Sequence, residues 1–252
     1  MTPDYELIKK RFIELARKSA SGSYYIFTDF LGLAEQSIFN DARASFGKVR
    51  YTLFGGAEGT ERVMVRFGDP EELGYEEDFP ISIIKVAPRA QKFADKLSHR
   101  DFLGAILNLG IERKLIGDIA IIENVGFIFA KSDIADYISS SLERVKHTDV
   151  SSTVIDSLPE GDLYRTETVT VQLSGERLDA VISKLFGISR DDSLSLFKKG
   201  LVFVSGKLTP NNSYTPKVND VISVRGFGRF IYRGVTGTSR KGKLNVLIER
   251  YV

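Results

Sequence analysis

The sequence contains no cysteine and only two histidines, His99 and His147, in 252 residues. A chain without cysteine has no disulfides, thiolate nucleophiles or thiolate metal sites, and two histidines are a poor basis for a metal centre. No apolar run is long enough to cross a membrane, and no basic-then-apolar leader is present. We therefore expect a cytoplasmic protein without membrane insertion, cofactor or metal.

Charge is distributed unevenly along the chain, although the net charge is only +2. Residues 175–252 hold 14 Lys and Arg against 6 Asp and Glu, a charge of +8, whereas residues 1–174 hold 21 against 27, a charge of −6. Such segregation is typical of a nucleic-acid-binding module joined to an acidic domain, although a merely basic surface gives the same count.

The first 157 residues are expected to form two α+β domains. A helix at 4–20 and a second near 28–45 precede two strand-like runs, "KVRYTLFGG" and "ERVMVRFG", and together they predict an N-terminal α+β domain at 1–78. From residue 79 to 157 the pattern is β-α-β-β-α-β, with helices at 88–109 and 132–145, which predicts a ferredoxin-like fold of the kind found in RNA-recognition-motif domains. The alternating Phe127 and Phe129 are typical of a core, with stacking on RNA bases as an open alternative.

Residues 158–174 contain Pro, Gly and charged residues ahead of an alternating run, and we interpret them as a linker to a domain at 175–252. In that domain "RLDAVISKLFG" has the period of a short helix, and "SRDDSLSLFKKG" predicts a second helix. Ser189 stands at its N-cap position, acidic residues occupy its first turn and lysines its last, and Gly200 follows.

These residues resemble the S4 RNA-binding domain, which implies αL-type helices plus a small β-sheet. The match consists of Arg-Leu-Asp at 177–179, Ser-Arg at 189–190, Gly200, alternating valines at 202 and 204, Gly-Lys at 206–207 and Asp-x-Ile-x-Val at 220–224. We expect cations of this domain to contact RNA phosphates, so that shape and charge are recognised more than base sequence. The predicted RNA-binding residues are Arg177, Ser189, Arg190, Lys198, Lys199, Lys207, Arg225 and Arg229.

Two catalytic signatures fail on inspection. "GTSRKGKL" at 237–244 approaches a phosphate-binding P-loop, but Leu244 stands where Ser or Thr must hold Mg²⁺, so a basic hairpin tip explains it better. His-Arg-Asp at 99–101 opens the catalytic loop of protein kinases, yet Ile106 stands where that loop needs a metal-binding Asn. We also find none of the catalytic motifs of the enzymes that carry S4 domains, and predict a non-enzymatic protein.

Ser98 with Asp101 ahead of an apolar run instead predicts a capping box, with Gly110 as the stop and Gly104 packed closely on a neighbour. If a helix begins at Pro88, its basic face forms a possible second RNA surface, with Phe93 and Leu97 turned inward, although a solvated face is an equal alternative. That surface would consist of Arg89, Lys92, Lys96 and Arg100.

Over nearly its whole length the sequence is similar to the YlmH family of bacterial S4 proteins. The resemblance lies in "KFADKLSHRDFLGAILNLGIERKLIGDI", in "TDFL…EQ" near the start and in the final S4 pattern. It implies a protein that binds rRNA or tRNA on the large ribosomal subunit and assists the rescue of stalled translation, encoded among division genes. Alternatives from the residues are a cell-division adaptor with incidental RNA binding, and an RNA-modifying enzyme.

Overall fold

The structure is a computed structural model that describes residues 3–159 and 163–251. The chain divides into two units, Met1–Glu35 with Asp41–Leu163, and Gln36–Asn40 with Tyr164–Val252. The predicted boundary at residue 78 lies inside the first unit. Of the predicted domains and linker, residues 1–2, 160–162 and 252 lie outside the described residues.

The N-terminal part of the first unit packs helices on a small antiparallel sheet. Its strands have the order β1-β3-β2, and the amphipathic α1 buries Phe12, Leu15 and Ala16. Both predicted helices and both predicted strands are present, although the second helix covers only the middle of its predicted range. The elements of residues 3–73 are α1 (Pro3–Gly22), β1 (Ile26–Phe27), α2 (Leu33–Ala42), β2 (Tyr51–Phe54), β3 (Met64–Phe67) and the short α3 (Pro70–Leu73), and residues 36–40 of α2 belong to the second unit.

The second part of this unit follows the predicted β-α-β-β-α-β order, with one added hairpin strand. Its five strands are antiparallel in the order β5-β6-β4-β8-β7, so that Ile84 of the central strand pairs with Ile128 on one side and Val154 on the other. The elements are β4 (Ile81–Pro88), α4 (His99–Asn108), β5 (Ile116–Ile122), β6 (Val125–Lys131), α5 (Ser132–Ser141), β7 (Arg144–Val145) and β8 (Thr148–Ile155).

The two faces of this sheet are buried against different partners. Helices α4 and α5 cover one face, where Phe102, Ile106 and Ile138 join Ile84 and Ile128 in the core. On the other face Phe129 packs with Phe30 and Met64 of the N-terminal part. Phe127 and Phe129 are almost fully buried, at 4% and 0% exposure, so the core interpretation is confirmed and stacking of these rings on RNA bases is wrong.

Hydrogen bonds of Arg62 also link the N-terminal part to this sheet, whereas Arg113 bonds within the second part. The Arg62 guanidinium donates to the carbonyls of Phe30 and Ile116, and the Asp118 carboxylate accepts from the Arg62 backbone. Arg113 turns inward to the Gly117 carbonyl at 3.1 Å, and burial lowers its pKa to about 10. These two guanidinium groups thus serve the packing of the first unit.

The predicted helix at 88–109 is wrong over its first half. Pro88 ends β4, residues 91–93 form one 3-10 turn, and the helix begins only at His99. Backbone N–H groups in 89–97 bond outside the segment: Arg89 donates to the Asp149 carbonyl, Asp95 to the Thr148 hydroxyl and Leu97 to the Asn124 amide oxygen. Because these long-range partners replace the i to i−4 bonds, no helix forms there.

The capping box is confirmed, because the Asp101 carboxylate accepts from the Ser98 backbone at 2.8 Å and from its hydroxyl at 2.6 Å. Gly110 ends this helical region with a left-handed φ of 81°. Gly104 does not pack closely, since an added Cβ would have no heavy atom within 4 Å, so that expectation is wrong. The helix predicted at 132–145 ends at Ser141, because the chain turns at Leu142 into the β7–β8 hairpin.

The second unit is a six-stranded antiparallel sheet with two short helices. Its order is β11-β10-β12-β13-β14-β9, and Thr166–Leu173, which the predicted linker includes, form its edge strand paired with β14. The elements are β9 (Thr166–Leu173), α6 (Leu178–Phe186), α7 (Arg190–Lys198), β10 (Val202–Val204), β11 (Lys207–Leu208), β12 (Val221–Val224), β13 (Gly228–Thr238) and β14 (Leu244–Tyr251).

The core of this unit joins the apolar face of α6 to the sheet. Leu178, Val181 and Ile182 are completely buried against Phe230 and Ile248. Buried residues recur every three to four positions in α6 and every second position in β13 and β14, as the geometry of a helix and of a strand requires. The polar faces of α6 and α7 are thereby left to carry the charged side chains.

Candidate nucleic-acid interface

Helix α7 presents predicted RNA-binding cations at both of its ends. The Ser189 hydroxyl caps the helix by accepting from the Asp192 backbone N–H at 3.0 Å, and Gly200 follows it with a left-handed φ of 66°. Arg190 and Lys198 mark the helix ends, which are roughly 12 Å apart at 1.5 Å per residue. Arg190, Lys198 and Lys199 are exposed, and within 3–159 and 163–251 no carboxylate forms an ion pair with them.

Arg225 lies beside the lysine end of α7. Its backbone N–H donates to the Leu201 carbonyl at 2.9 Å, and its guanidinium lies 5.1 Å from the Phe203 ring centroid. Leu201 directly follows Gly200, so the β12–β13 turn is adjacent to Lys198 and Lys199. The structure therefore brings three predicted cations, on two separate chain segments, to one part of the surface.

Arg177 has a different role from the lysines. Its guanidinium forms a two-point contact with Asp179, at 3.0 and 2.9 Å. Burial tends to raise the pKa of the Asp179 carboxyl, but the hydrogen bonds and charge of Arg177 outweigh it and lower that pKa. Half of the Arg177 side chain is exposed, yet the N–H groups of its guanidinium are bonded to the Asp179 carboxylate. Asp179 is thus a structural acceptor at the start of α6.

Arg229 is likewise held by its own fold. Its guanidinium lies 3.9 Å from the ring centroid of Tyr251 and 5.6 Å from that of Tyr164, in a cation–π arrangement. This residue is only partly exposed, and it lies on β13 rather than in the turn with Arg225. Arg225 and Arg229, which flank residues 226–228, therefore differ in exposure and in the aromatic rings they contact.

Lys207 begins β11, directly after the β10–β11 turn and away from Arg225. It pairs with Val204 at the far end of β10 and is exposed. The turn before it is tight, since Ser205 and Gly206 both have positive φ values, of 48° and 75°. Lys207 thus extends the basic surface along β10.

Three cations at the β13–β14 hairpin were absent from the predicted RNA-binding set. The P-loop-like segment is a hairpin tip, closed by a 2.7 Å bond from the Ser239 N–H to the Lys243 carbonyl. Its exposed Arg240, Lys241 and Lys243 form no ion pair with any carboxylate in the described part of the chain. The density of basic residues in "SRKGK" predicted a basic hairpin tip, and the structure shows that its three cations are exposed.

The predicted second surface is a loop rather than a helix face. Arg89, Lys92 and Lys96 are exposed on residues 89–98, and Arg100 is exposed at the start of α4. The Arg89 guanidinium donates to the Val150 carbonyl at 3.0 Å, which holds it at the base of the loop. Leu97 is buried as expected, but Phe93 is 83% exposed, so its inward orientation is wrong.

Arg100 also lines a groove of about 570 Å³ beside α4. Gly104 leaves the groove open, and Arg144 and Lys146 of the β7–β8 hairpin reach it from the other side. Sequence reasoning missed Arg144 and Lys146 because the hairpin was predicted as the end of a helix.

Neither a metal centre nor a membrane span emerges from residues 3–159 and 163–251. No cluster of three His, Asp or Glu in these ranges could hold a metal ion. No helix in the same ranges is long and apolar enough to cross a membrane.

Comparison with known proteins gives matches of three kinds. Residues 74–157 match the family described as "Putative RNA-binding domain in YlmH". The chain is 34% identical over 235 residues to "Ribosome-associated protein quality control protein P2" of Bacillus subtilis (strain 168), with 88% of this chain and 86% of that protein covered. A solved structure, "Cell division protein ylmH from Streptococcus pneumoniae", is 21% identical with a TM-score of 0.49, covering 62% of this chain and 93% of that one.

Proposed function

Because the chain belongs to the YlmH family, we propose that it is a non-enzymatic protein that binds structured rRNA or tRNA through its C-terminal unit. One observation carries this proposal: exposed cations of that unit, without carboxylate partners among the described residues, cluster around the end of α7 and the neighbouring turn. The segment that holds them has a net charge of +8.

We assign residues 175–252 to the S4 fold and residues 79–157 to the ferredoxin-like fold, with 1–78 as an N-terminal domain and a linker within 158–174. The strand order β5-β6-β4-β8 supports the ferredoxin-like assignment, since it places the first and third strands of the β-α-β-β-α-β unit side by side at the centre of the sheet. Two short helices on an antiparallel sheet with Ser189 and Gly200 at the helix ends support the first.

Phosphate contacts explain how such a surface would work. Lys198, Lys199 and Arg225 meet a phosphate backbone at one point, while Arg190 and Lys207 extend the contact in two other directions. Ammonium and guanidinium groups on rigid turns fix the orientation of a folded RNA without selecting its base sequence. Arg177, Ser189 and Arg229 act in this scheme by holding α6, α7 and β13 in place.

The biological setting is proposed from the curated relative, whose name describes a ribosome-associated protein of quality control. We infer that the chain acts in the cytoplasm on the large ribosomal subunit and assists the rescue of stalled translation. A surface that recognises backbone shape suits rRNA and tRNA, because both present folded helices with closely spaced phosphates.

Co-sedimentation of the full chain with purified large subunits, at increasing salt, tests this function. If about five phosphates are engaged, a slope of about −0.7 per phosphate predicts roughly a hundredfold loss of affinity for a fourfold rise in salt. A flat salt response would contradict the proposal. Partners that still co-purify from cells after nuclease treatment, without ribosomes, would instead favour a protein adaptor.

A further inference from the structure

Phe93 is unusual among the apolar side chains of this protein. It is 83% exposed, a larger fraction than for any other large hydrophobic residue in 3–159 and 163–251, with Leu7 next at 69%. A single exposed apolar residue is common and needs no explanation by itself. The position of Phe93 matters because its loop is firmly held and strongly basic.

Hydrogen bonds from three directions fix the loop around Phe93. Gln91 donates to the Glu123 carbonyl at 2.7 Å, and Asn124 both accepts from the Leu97 N–H and donates to the Asp95 carbonyl. The Thr148 hydroxyl accepts from the Asp95 N–H at 2.9 Å. The Gln91 side chain before Phe93 and the backbone of Asp95 and Leu97 after it thus anchor the loop to the β5–β6 turn and to β8, while the ring itself is exposed.

One cation lies beside the exposed ring, and a second lies in the same loop. The Lys92 ammonium lies 5.8 Å from the ring centroid, and the exposed Lys96 follows three residues later. Neither lysine forms an ion pair with a carboxylate of the described chain. An exposed aromatic ring on an anchored loop that also carries two unpaired lysines has the chemistry of a single-stranded nucleic-acid contact, in which a base stacks and the flanking phosphates are neutralised.

We propose that Phe93 stacks on an unpaired base of the bound RNA, with Lys92 and Lys96 contacting the adjacent phosphates. This inference rests on the proposed function and adds a contact that the phosphate-reading surface of the C-terminal unit does not supply. Protein docking fits less well, because lysine is depleted in the cores of protein interfaces and Phe93 stands among lysines rather than in an apolar patch.

Substitution of the ring tests the proposal in the full-length protein. Binding is measured by fluorescence anisotropy with a fluorescein-labelled oligoadenylate and with a blunt duplex of the same length. Phe93→Leu keeps the side chain apolar but removes the ring, and it should weaken oligoadenylate binding by about 5- to 150-fold, with the duplex little affected. Phe93→Tyr should retain the affinity, and the salt slope should stay unchanged because no phosphate contact is lost.

The absence of tryptophan from the chain provides a direct optical test. Phe93→Trp creates a single indole in the loop, whose fluorescence should be quenched when a base stacks on it. Tyr137→Trp is the matched control, because Tyr137 is 51% exposed on α5 of the same domain. Quenching at position 93 but not at 137 is the expected result, and equal quenching or none at 93 would overturn the proposal.

The remaining outcomes separate this proposal from the proposed function. Unchanged oligoadenylate affinity of Phe93→Leu, in a protein that still binds RNA with a steep salt slope, would refute stacking and leave RNA binding intact. Failure of the unmodified protein to bind either RNA would refute both. A protein that co-purifies with the unmodified chain after nuclease treatment, but not with Phe93→Leu, would make Phe93 a protein contact and refute stacking.

Discussion

The basic surface of the C-terminal unit and the basic loop at residues 89–98 of the middle domain, residues 79–157, present their cations on different scaffolds. In the C-terminal unit the cations stand at helix ends and strand turns, around Lys198, Lys199 and Arg225. In the middle domain they stand on an anchored irregular loop with Phe93 exposed between them. The first arrangement suits a folded phosphate backbone, and the second adds a ring that can interact with an unpaired base.

The largest expected effect comes from removing the cations of α7. A variant with Arg190→Ala, Lys198→Ala and Lys199→Ala should lose roughly tenfold to hundredfold in RNA affinity, at about 0.5–1 kcal/mol per exposed contact. Its salt slope should fall by about 2 to 3, because three phosphate contacts are missing. Affinity measured over a salt series gives both quantities.

The matched control removes the same charge from the acidic unit. Lys10, Arg17 and Lys48 are exposed or partly exposed there, and no carboxylate in the described ranges forms an ion pair with them. Their triple alanine variant should keep the salt slope of the unmodified protein. Equal losses in the two variants would mean that net charge, rather than the α7 surface, determines binding.

Asp179→Asn should destabilise the C-terminal unit by about 1–3 kcal/mol. The reason is that Arg177 would lose the carboxylate of Asp179, which is buried. Calorimetric unfolding measures this change. Asp191→Asn is the control, since Asp191 is exposed in the first turn of α7, and its stability should change far less. A strong loss of RNA affinity in Asp179→Asn at unchanged stability would show instead that this pair contacts RNA.

Alanine substitutions at two glycines of the middle domain should change the free energy of unfolding in opposite directions. Gly104 lies within α4 with open space around it, so Gly104→Ala should stabilise by about 0.5–1 kcal/mol. Gly110 has a left-handed φ of 81°, so Gly110→Ala should destabilise by about 1 kcal/mol. Unfolding of the two variants side by side checks the signs, and the same sign for both would contradict the assigned end of the helix.

The smallest effect is a pH dependence of the C-terminal unit. The folded-state pKa of Asp179 is lowered by Arg177 against the opposing effect of burial, so its stabilisation is present above the unfolded pKa of about 4. It is lost as the pH falls through the lower folded pKa, by less than about 1 kcal/mol because Arg177 is half exposed. Asp179→Asn should remove this part of the acid dependence, and an unaltered pH profile would contradict the assignment.

Local signals explain which elements could be predicted from sequence. In α7 the Ser189 cap, the charges of the first and last turns and Gly200 all lie within a dozen residues, and the helix has the expected bounds. Residues 89–98 carry helix-like spacing, but their conformation depends on Asn124, Thr148 and Asp149. Partners that distant in sequence leave no local pattern.

The sequence identifies the basic residues of the candidate site, but it does not show which of them are bonded within the fold. The placement of basic residues at a predicted helix end and turn identified Lys198, Lys199 and Arg225, which the structure brings together. It did not distinguish them from Arg177, which is bonded to Asp179, or from Arg229, which lies over Tyr251. Those partners stand two and 22 residues away, and only the fold decides which guanidinium remains accessible.

Crosslinking can show which residues contact RNA on the ribosome. The full-length protein is crosslinked to large ribosomal subunits, and the RNA-linked peptides are identified by mass spectrometry. We expect RNA-linked peptides from residues 190–207 and from the turn that carries Arg225, with a further link at or beside Phe93. RNA links confined to residues 1–78, or none in the C-terminal unit of a protein that still co-sediments with the subunit, would contradict the proposed function.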